Sequence, residues 1–184
     1  MPPLTLSQPG LRAFPVTSAV WRGFAGVVSL ALSLALSACG TAHQGPAQHR
    51  SQSVPMDQTM LTRVEITMGA GEFQVDGGST NLMDADFDYT DPASNPAVEY
   101  HSTGTRSDLT IREPDGGSSG NDHYKWRLRL NDKANLDVVA KLGAGQANMN
   151  LGNLNLRNVE LNMGAGQVDM DLRGLPKQSY EVRV

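Results

Sequence analysis

The chain has 184 residues, of which 39% are hydrophobic and 5% aromatic, with a formal net charge of -4; that is enough for one domain and a leader. So few aromatics mean that a core has to be built from Leu, Val, Met and Ala. The mildly acidic balance excludes the basic surface that nucleic acid requires, and Cys39 as the single cysteine excludes a disulfide framework.

Arg12 and Arg22 are the only charged residues ahead of Cys39, and they precede the apolar run Gly23 to Ala38. The run is short for a membrane span and has the charge order of a secretory signal. It ends in Leu36-Ser37-Ala38-Cys39-Gly40, which resembles the lipobox of bacterial lipoproteins. On that resemblance residues 1–38 are a lipoprotein signal peptide and Cys39 is the lipidation site. The mature protein is then exported and anchored by palmitate-like acyl chains to a bacterial membrane, periplasmic or extracytoplasmic, and two or three chains hold where one does not. An ordinary signal peptide whose cleavage site happens to contain cysteine is the alternative.

Residues 39–60 are rich in Gln, Ser, Pro, Ala and His without apolar periodicity, and are expected to be a disordered tether. His43 and His49 lie in it without further donors, so no metal site is expected. The folded domain is expected over 61–184. Its first unit is Leu61 to about Gly78. Asn81 to Thr90 alternates Asp84, Asp86 and Asp88 with Ala85, Phe87 and Tyr89, a strand with a solvated acidic face. It lacks the glycine and distal glutamate of a calcium loop. Val98 to His101 and Leu109 to Arg112 are short strands, and Glu113 to Asp122 is an exposed loop. His123 to Asn131 sets Tyr124, Trp126, Leu128 and Leu130 on one face and Lys125, Arg127 and Arg129 on the other. The three cations are a candidate binding stripe for anionic headgroups or wall polymers; such a row also pairs readily with an acidic neighbour such as Asp84 to Asp88.

From Leu136 onward the sequence repeats itself. Gly143-Ala144-Gly145 recurs 21 residues on as Gly164-Ala165-Gly166, and an earlier copy stands at Gly69-Ala70-Gly71. Aligned on the triplet, Val64, Val138 and Val159 coincide, as do Ile66, Ala140 and Leu161, and then Met68, Leu142 and Met163. Beyond it come Glu72, Gln146 and Gln167, followed by Phe73, Ala147 and Val168, and by Val75, Met149 and Met170. Apolar and polar residues alternate on both sides, and the parity slips by one residue across each triplet. Gly69, Gly71, Gly143, Gly145, Gly164 and Gly166 are therefore expected to be structural corners. A fixed period with corners at fixed places predicts an all-β, single-stranded β-helix or β-solenoid-like stack. An antiparallel meander with Gly-rich hairpins is the competing architecture. The 74 residues from Gly69 to Gly143 suggest about three and a half coils blurred by insertions. At the far end, Tyr180, Val182 and Val184 occupy the apolar positions ahead of a next triplet, so either the natural protein continues or this end is an open edge.

No motif carries catalysis. Each Gly-x-Gly is followed by strand-period sequence and not by the helix a phosphate loop needs, so no cofactor is expected. His101 and His123 sit in no nucleophile motif. Glu72 stands where sister repeats have Gln146 and Gln167, as a polar corner residue would. Asn148 and Asn150, opposite Asp169 and Asp171, should form outward polar ladders.

Val64 to Val75 followed by Leu136 to Leu172, with Leu-Gly-Ala-Gly and Met-Gly-Ala-Gly steps, resembles the toast-rack domain. This is a domain of unknown function in bacterial envelope proteins, related to the amino-terminal part of LiaF-like envelope-stress proteins. The resemblance covers about residues 61 to 184 and implies a stacked β-helix-like fold with no catalytic residues. Relatives that regulate envelope stress carry transmembrane helices, which this sequence does not display. Two functions follow as expectations: a non-enzymatic lipoprotein whose solenoid surface binds an envelope protein or polymer, with envelope-stress sensing as one form of it, or an envelope polysaccharide hydrolase on a β-helix scaffold.

Overall fold

A computed structural model describes residues 46–114 and 124–184. The expected signal peptide, Cys39, His43, most of the expected 113–122 loop and His123 lie outside the described residues. The strands are β1 (Gln48–Val54), β2 (Leu61–Asp76), β3 (Met83–Tyr89), β4 (Ala97–Ser102), β5 (Arg106–Arg112), β6 (Lys125–Leu130), β7 (Asn135–Asn150), β8 (Asn155–Asp171) and β9 (Glu181–Arg183), with a 3-10 turn at Pro92–Ser94.

The repeat reads as a stack. β2, β7 and β8 lie side by side and parallel, with Val64 opposite Val138 and Val138 opposite Val159. Ile66, Ala140 and Leu161 form the next rung, and Val75, Met149 and Met170 a later one. Side chains on one parity point inward: Val64, Ile66, Val75, Val138, Ala140, Met149 and Val159 are fully buried. No coil alone could bury enough apolar surface to fold, so each contributes one layer to a common interior.

Both halves of each long strand face that interior because the chain turns at Gly-Ala-Gly. β2, β7 and β8 carry the same additional residue there, so the rungs before and after the corner keep the same offset: Met68 with Leu142, Ala70 with Ala144. The second glycine of each triplet has positive φ, 135° at Gly71, 128° at Gly145 and 130° at Gly166, a region L side chains avoid. Stacking adds a second reason. A Cβ on Gly143 would lie 2.2 Å from the Gly69 carbonyl oxygen, and one on Gly166 would lie 1.9 Å from that of Gly145.

The order of layers departs from the order of the chain, which corrects the expectation of three and a half coils between the first two triplets. β7 pairs directly with β2 across an offset of 74 residues. The residues between them fold onto the other edge of β2. There β5 pairs with the first half of β2 and β6 with the second, both parallel. β5 and β6 thus flank β2 as the two halves of one layer, and the Glu113 carboxylate accepts the Gly69 N–H at 2.6 Å. Beyond this layer β3 pairs antiparallel with β6, β4 antiparallel with β5, and β1 antiparallel with β3. Phe87 lies opposite Trp126 with ring centroids 5.5 Å apart and planes at 82°, an edge-to-face pair. Asn131 fixes the turn that carries the chain from β2 to β3. It is buried, and its amide donates to the carbonyls of Ser79, Thr80 and Asn81 at 3.0, 3.2 and 3.0 Å.

Two further expectations are corrected. Gln48–Val54, assigned to the tether, is strand β1. Only Val54 on it is buried; the strand is held by polar side chains, and an apolar period is therefore missing. At the other end Val182 lies opposite Val159, an offset of 23 residues, because the turn over 172–180 is two residues longer than the period allows. The strand keeps its parity but sits two residues out of the predicted rung.

Candidate binding face

Alternation places every second residue of the strands outward, and the registers join these residues into columns. On the face built from β1, β3, β6 and the second halves of β2, β7 and β8, the first column is His49, Asp88, Lys125, Glu72, Gln146 and Gln167. The second is Ser51, Asp86, Arg127, Gln74, Asn148 and Asp169. The third is Ser53, Asp84, Arg129, Asp76, Asn150 and Asp171, with the Asn150 amide donating to Asp76 at 2.6 Å. The outward ladder of Asn148 and Asn150 against Asp169 and Asp171 forms as the repeat predicts.

Charge on this face is arranged in bands. The row Lys125, Arg127 and Arg129 lies between the acidic row Asp84, Asp86 and Asp88 and the row containing Glu72 and Asp76. Lys125 Nζ is 2.8 Å from Glu72, and Arg127 Nη2 is 2.6 Å from Asp88. Lys125 and Arg127 are thus engaged by carboxylates on opposite flanks. The acidic row is also met from the other side. Ser51 donates to Asp86 and Ser53 to Asp84, each at 2.6 Å, and His49 Nδ1 is 2.7 Å from Asp88. Hydrogen bonds from Ser53, Ser79 and Asn81 hold the Asp84 carboxyl below its ordinary range. Burial pushes Asp88 upward, but His49 and Arg127 outweigh it and the net shift is downward. Beyond β2 Gln74, Gln146, Asn148 and Gln167 line a shallow depression of about 270 Å³ together with Glu72, Lys125 and Asp169, and Asp169 and Asp171 on β8 return negative charge to the face.

His49, Ser51 and Ser53 escaped the sequence reading because they fell in the presumed tether. A second polar group did too. Tyr100 donates to the Asp57 carboxylate, and Thr59, Thr62 and Ser107 form a hydroxyl chain with spacings of 3.0 and 2.9 Å. Burial raises Asp57, yet the hydrogen bonds of Tyr100 and Thr59 bring it down to about 2. Among the described residues no three His, Cys, Asp or Glu side chains are grouped to hold a metal ion, and no helix is long and apolar enough to cross a membrane.

Residues 43–184 match the family described as the N-terminal domain of toast_rack, DUF2154. The chain belongs to the toast-rack family. The toast-rack stack is similar to the crystal structure of a candidate cell adhesion protein from Clostridium sporogenes, with a TM-score of 0.70 and 25% identity over 74% of this chain and 66% of that one. A candidate adhesin from Parabacteroides distasonis matches with a TM-score of 0.32 and 18% identity over 67% of this chain and 56% of its own. The toast-rack chain therefore spans just under two thirds of the first structure's length and less of the second. No curated protein matches it in sequence.

Proposed function

We propose that this toast-rack protein is a non-enzymatic binding module of the bacterial envelope, tethered through lipid at Cys39, that presents the banded polar face to an envelope protein or wall polymer. The observation that carries the reading is the face itself: six strands place three columns of polar side chains on one surface, broad enough to dock a large partner. The likeness to a candidate cell adhesion protein supports it. So does the chemistry of the acids. Asp57, Glu65, Asp84, Asp88 and Asp171 are each held below the ordinary carboxylate range by hydrogen bonds and neighbouring cations, whereas a glycosidase acid has to be raised to keep its proton at neutral pH. In this setting envelope-stress sensing means that occupancy of the face is the signal.

The test has two parts. The Cys39→Ala chain should lose labelled palmitate and move from the membrane to the soluble fraction; retention in the membrane removes the anchor. Isolated cell-wall sacculi and envelope membranes are then incubated with wild type and with a Lys125→Gln, Arg127→Gln, Arg129→Gln variant. Saturable binding by the wild type that weakens in the variant supports the face as the binding surface. Equal binding, or none to either material, overturns it.

A further inference from the structure

The three columns of the binding face are polar throughout. Among their outward residues, from His49 to Asp171, none is aliphatic or aromatic. Protein interfaces draw their affinity from a buried cluster of aromatic and apolar anchors, and this face has none to offer. Nor does it suit a polyanion. Three cations stand among seven carboxylates, and Lys125 and Arg127 are paired with Glu72 and Asp88 at 2.8 and 2.6 Å. What remains is hydrogen-bonding capacity, since a paired ammonium or guanidinium keeps N–H donors to spare. Towards β7 and β8 that capacity is carried by amides. Gln74 and Asn150 donate to Asp76 at 2.8 and 2.6 Å, whereas among the described residues no side-chain hydrogen bond engages Gln146, Asn148 or Gln167, all three exposed. These three line the depression of about 270 Å³.

We infer that the ligand of this face is a neutral, hydroxyl-rich polysaccharide strand seated on the amides of β7 and β8. A carboxamide presents two N–H donors and an acceptor oxygen on one planar head, so it gives to one hydroxyl of a sugar and accepts from the next. A carboxylate only accepts and an ammonium only donates. Gln146 and Gln167 stand opposite each other on adjacent strands, about 4.8 Å apart across the ladder, a step comparable to the advance of an extended β-linked glycan by one sugar. Glu72 continues the same column on β2 as an acceptor, and Asp169 lies beside Asn148 as another. With no aromatic platform to stack on, each sugar is held weakly, and affinity accumulates over several rungs engaged at once. The inference rests on the binding role proposed above and names its ligand class.

The experiment uses the full-length chain in detergent, incubated with sacculi, with envelope membranes, and with chitin and cellulose as insoluble glycans without charge. Wild type should be retained on sacculi and on at least one neutral glycan, and raising salt to about 0.5 M should not release it, because no ion pair to the ligand is screened. Gln146→Ala, Asn148→Ala and Gln167→Ala together should weaken retention about tenfold with an unchanged circular dichroism spectrum. Asn162→Ala, an exposed amide on the other side of the corner, should leave it unchanged. Soluble chito-oligosaccharides should compete better as they lengthen. Full retention of the triple variant overturns the inference. So does binding to sacculi that polyphosphate displaces and chito-oligosaccharides do not, or binding to membranes and to no glycan; in these two cases the face still binds, with a polyanion or a protein as its ligand. No binding to any of the materials removes the binding role and the inference together.

Discussion

At the scale of single residues, glycine carries the architecture, and its two roles are separable by substitution. Gly145 has φ of 128° and the Gly71 carbonyl oxygen 2.0 Å from where a Cβ would sit. Gly78 has φ of 94° with nothing within 4 Å. Gly78→Ala therefore meets only backbone strain of about 1 to 2 kcal/mol, while Gly145→Ala adds a backbone collision that no rotamer relieves. Urea titrations should show Gly145→Ala losing at least about 3 kcal/mol, or failing to fold, beside a mild Gly78→Ala. Asn131→Ala removes the donor shared by the Ser79, Thr80 and Asn81 carbonyls, of which the first bond is buried and the others half-buried, and should cost about 1 to 3 kcal/mol in the same measurement. Asp57 makes a prediction in pH. Its folded value of about 2 lies below the ordinary 3.8, so the stability it contributes is complete above pH 4 and is lost as pH falls toward 2. Tyr100→Phe removes the largest of the bonds that lower it. The stability gap between wild type and Tyr100→Phe should accordingly narrow across that window, and a gap independent of pH would show that the Asp57 carboxylate is not what the hydroxyl stabilises.

At the scale of elements, β1 and β6 show two kinds of strand. β6 buries Trp126, Leu128 and Leu130 completely, whereas β1 buries Val54 and is otherwise fastened by His49, Ser51 and Ser53 to the β3 carboxylates. Exposed hydrogen bonds of this kind contribute about 0.5 to 1.5 kcal/mol each, so β1 should open locally. Hydrogen exchange should find β1 amides exchanging well before those of β2 and β7, and Ser51→Ala with Ser53→Ala should accelerate β1 alone. The same contrast decides what was legible. β3, β6, β7 and β8 were readable because alternating apolar residues report a buried face, and the slip across Gly69 to Gly71 reported the corner. β1 was invisible because side-chain oxygens leave no period. The basic row was visible as a stripe and Asp84 to Asp88 as a neighbour it could pair with; its second acidic flank, Glu72 and Asp76 on β2, depends on a pairing across 53 residues that no local pattern encodes. The strand order was hidden for a related reason: both edges of β2 offer the same ladder, and nothing in its own sequence says which neighbour takes which edge.

At the scale of the whole molecule, the interior is one continuous apolar core, aliphatic along β7 and β8 and aromatic where Phe73, Phe87 and Trp126 enter it rather than built from Leu, Val, Met and Ala alone, so damage in one layer should be felt in its neighbours. Val138 is fully buried between Val64 and Val159. Val138→Ala should cost about 2 kcal/mol and, if the layers unfold together, shift a single cooperative transition seen alike by Trp126 fluorescence and by circular dichroism. Two separated transitions would mean that the layers melt independently. The position of β6, between β3 and β2 although it follows both in the chain, has a kinetic consequence. When β2 and β3 first leave the ribosome neither has its final neighbour, and the slot that separates them waits for Lys125–Leu130, while the opposite side of β2 waits for Asn135–Asn150. Productive collapse is deferred until most of the polypeptide exists, which places this fold among the slow, high contact-order topologies that mature in milliseconds to seconds. For the envelope protein proposed above, such delay would keep the chain threadable while it crosses the membrane.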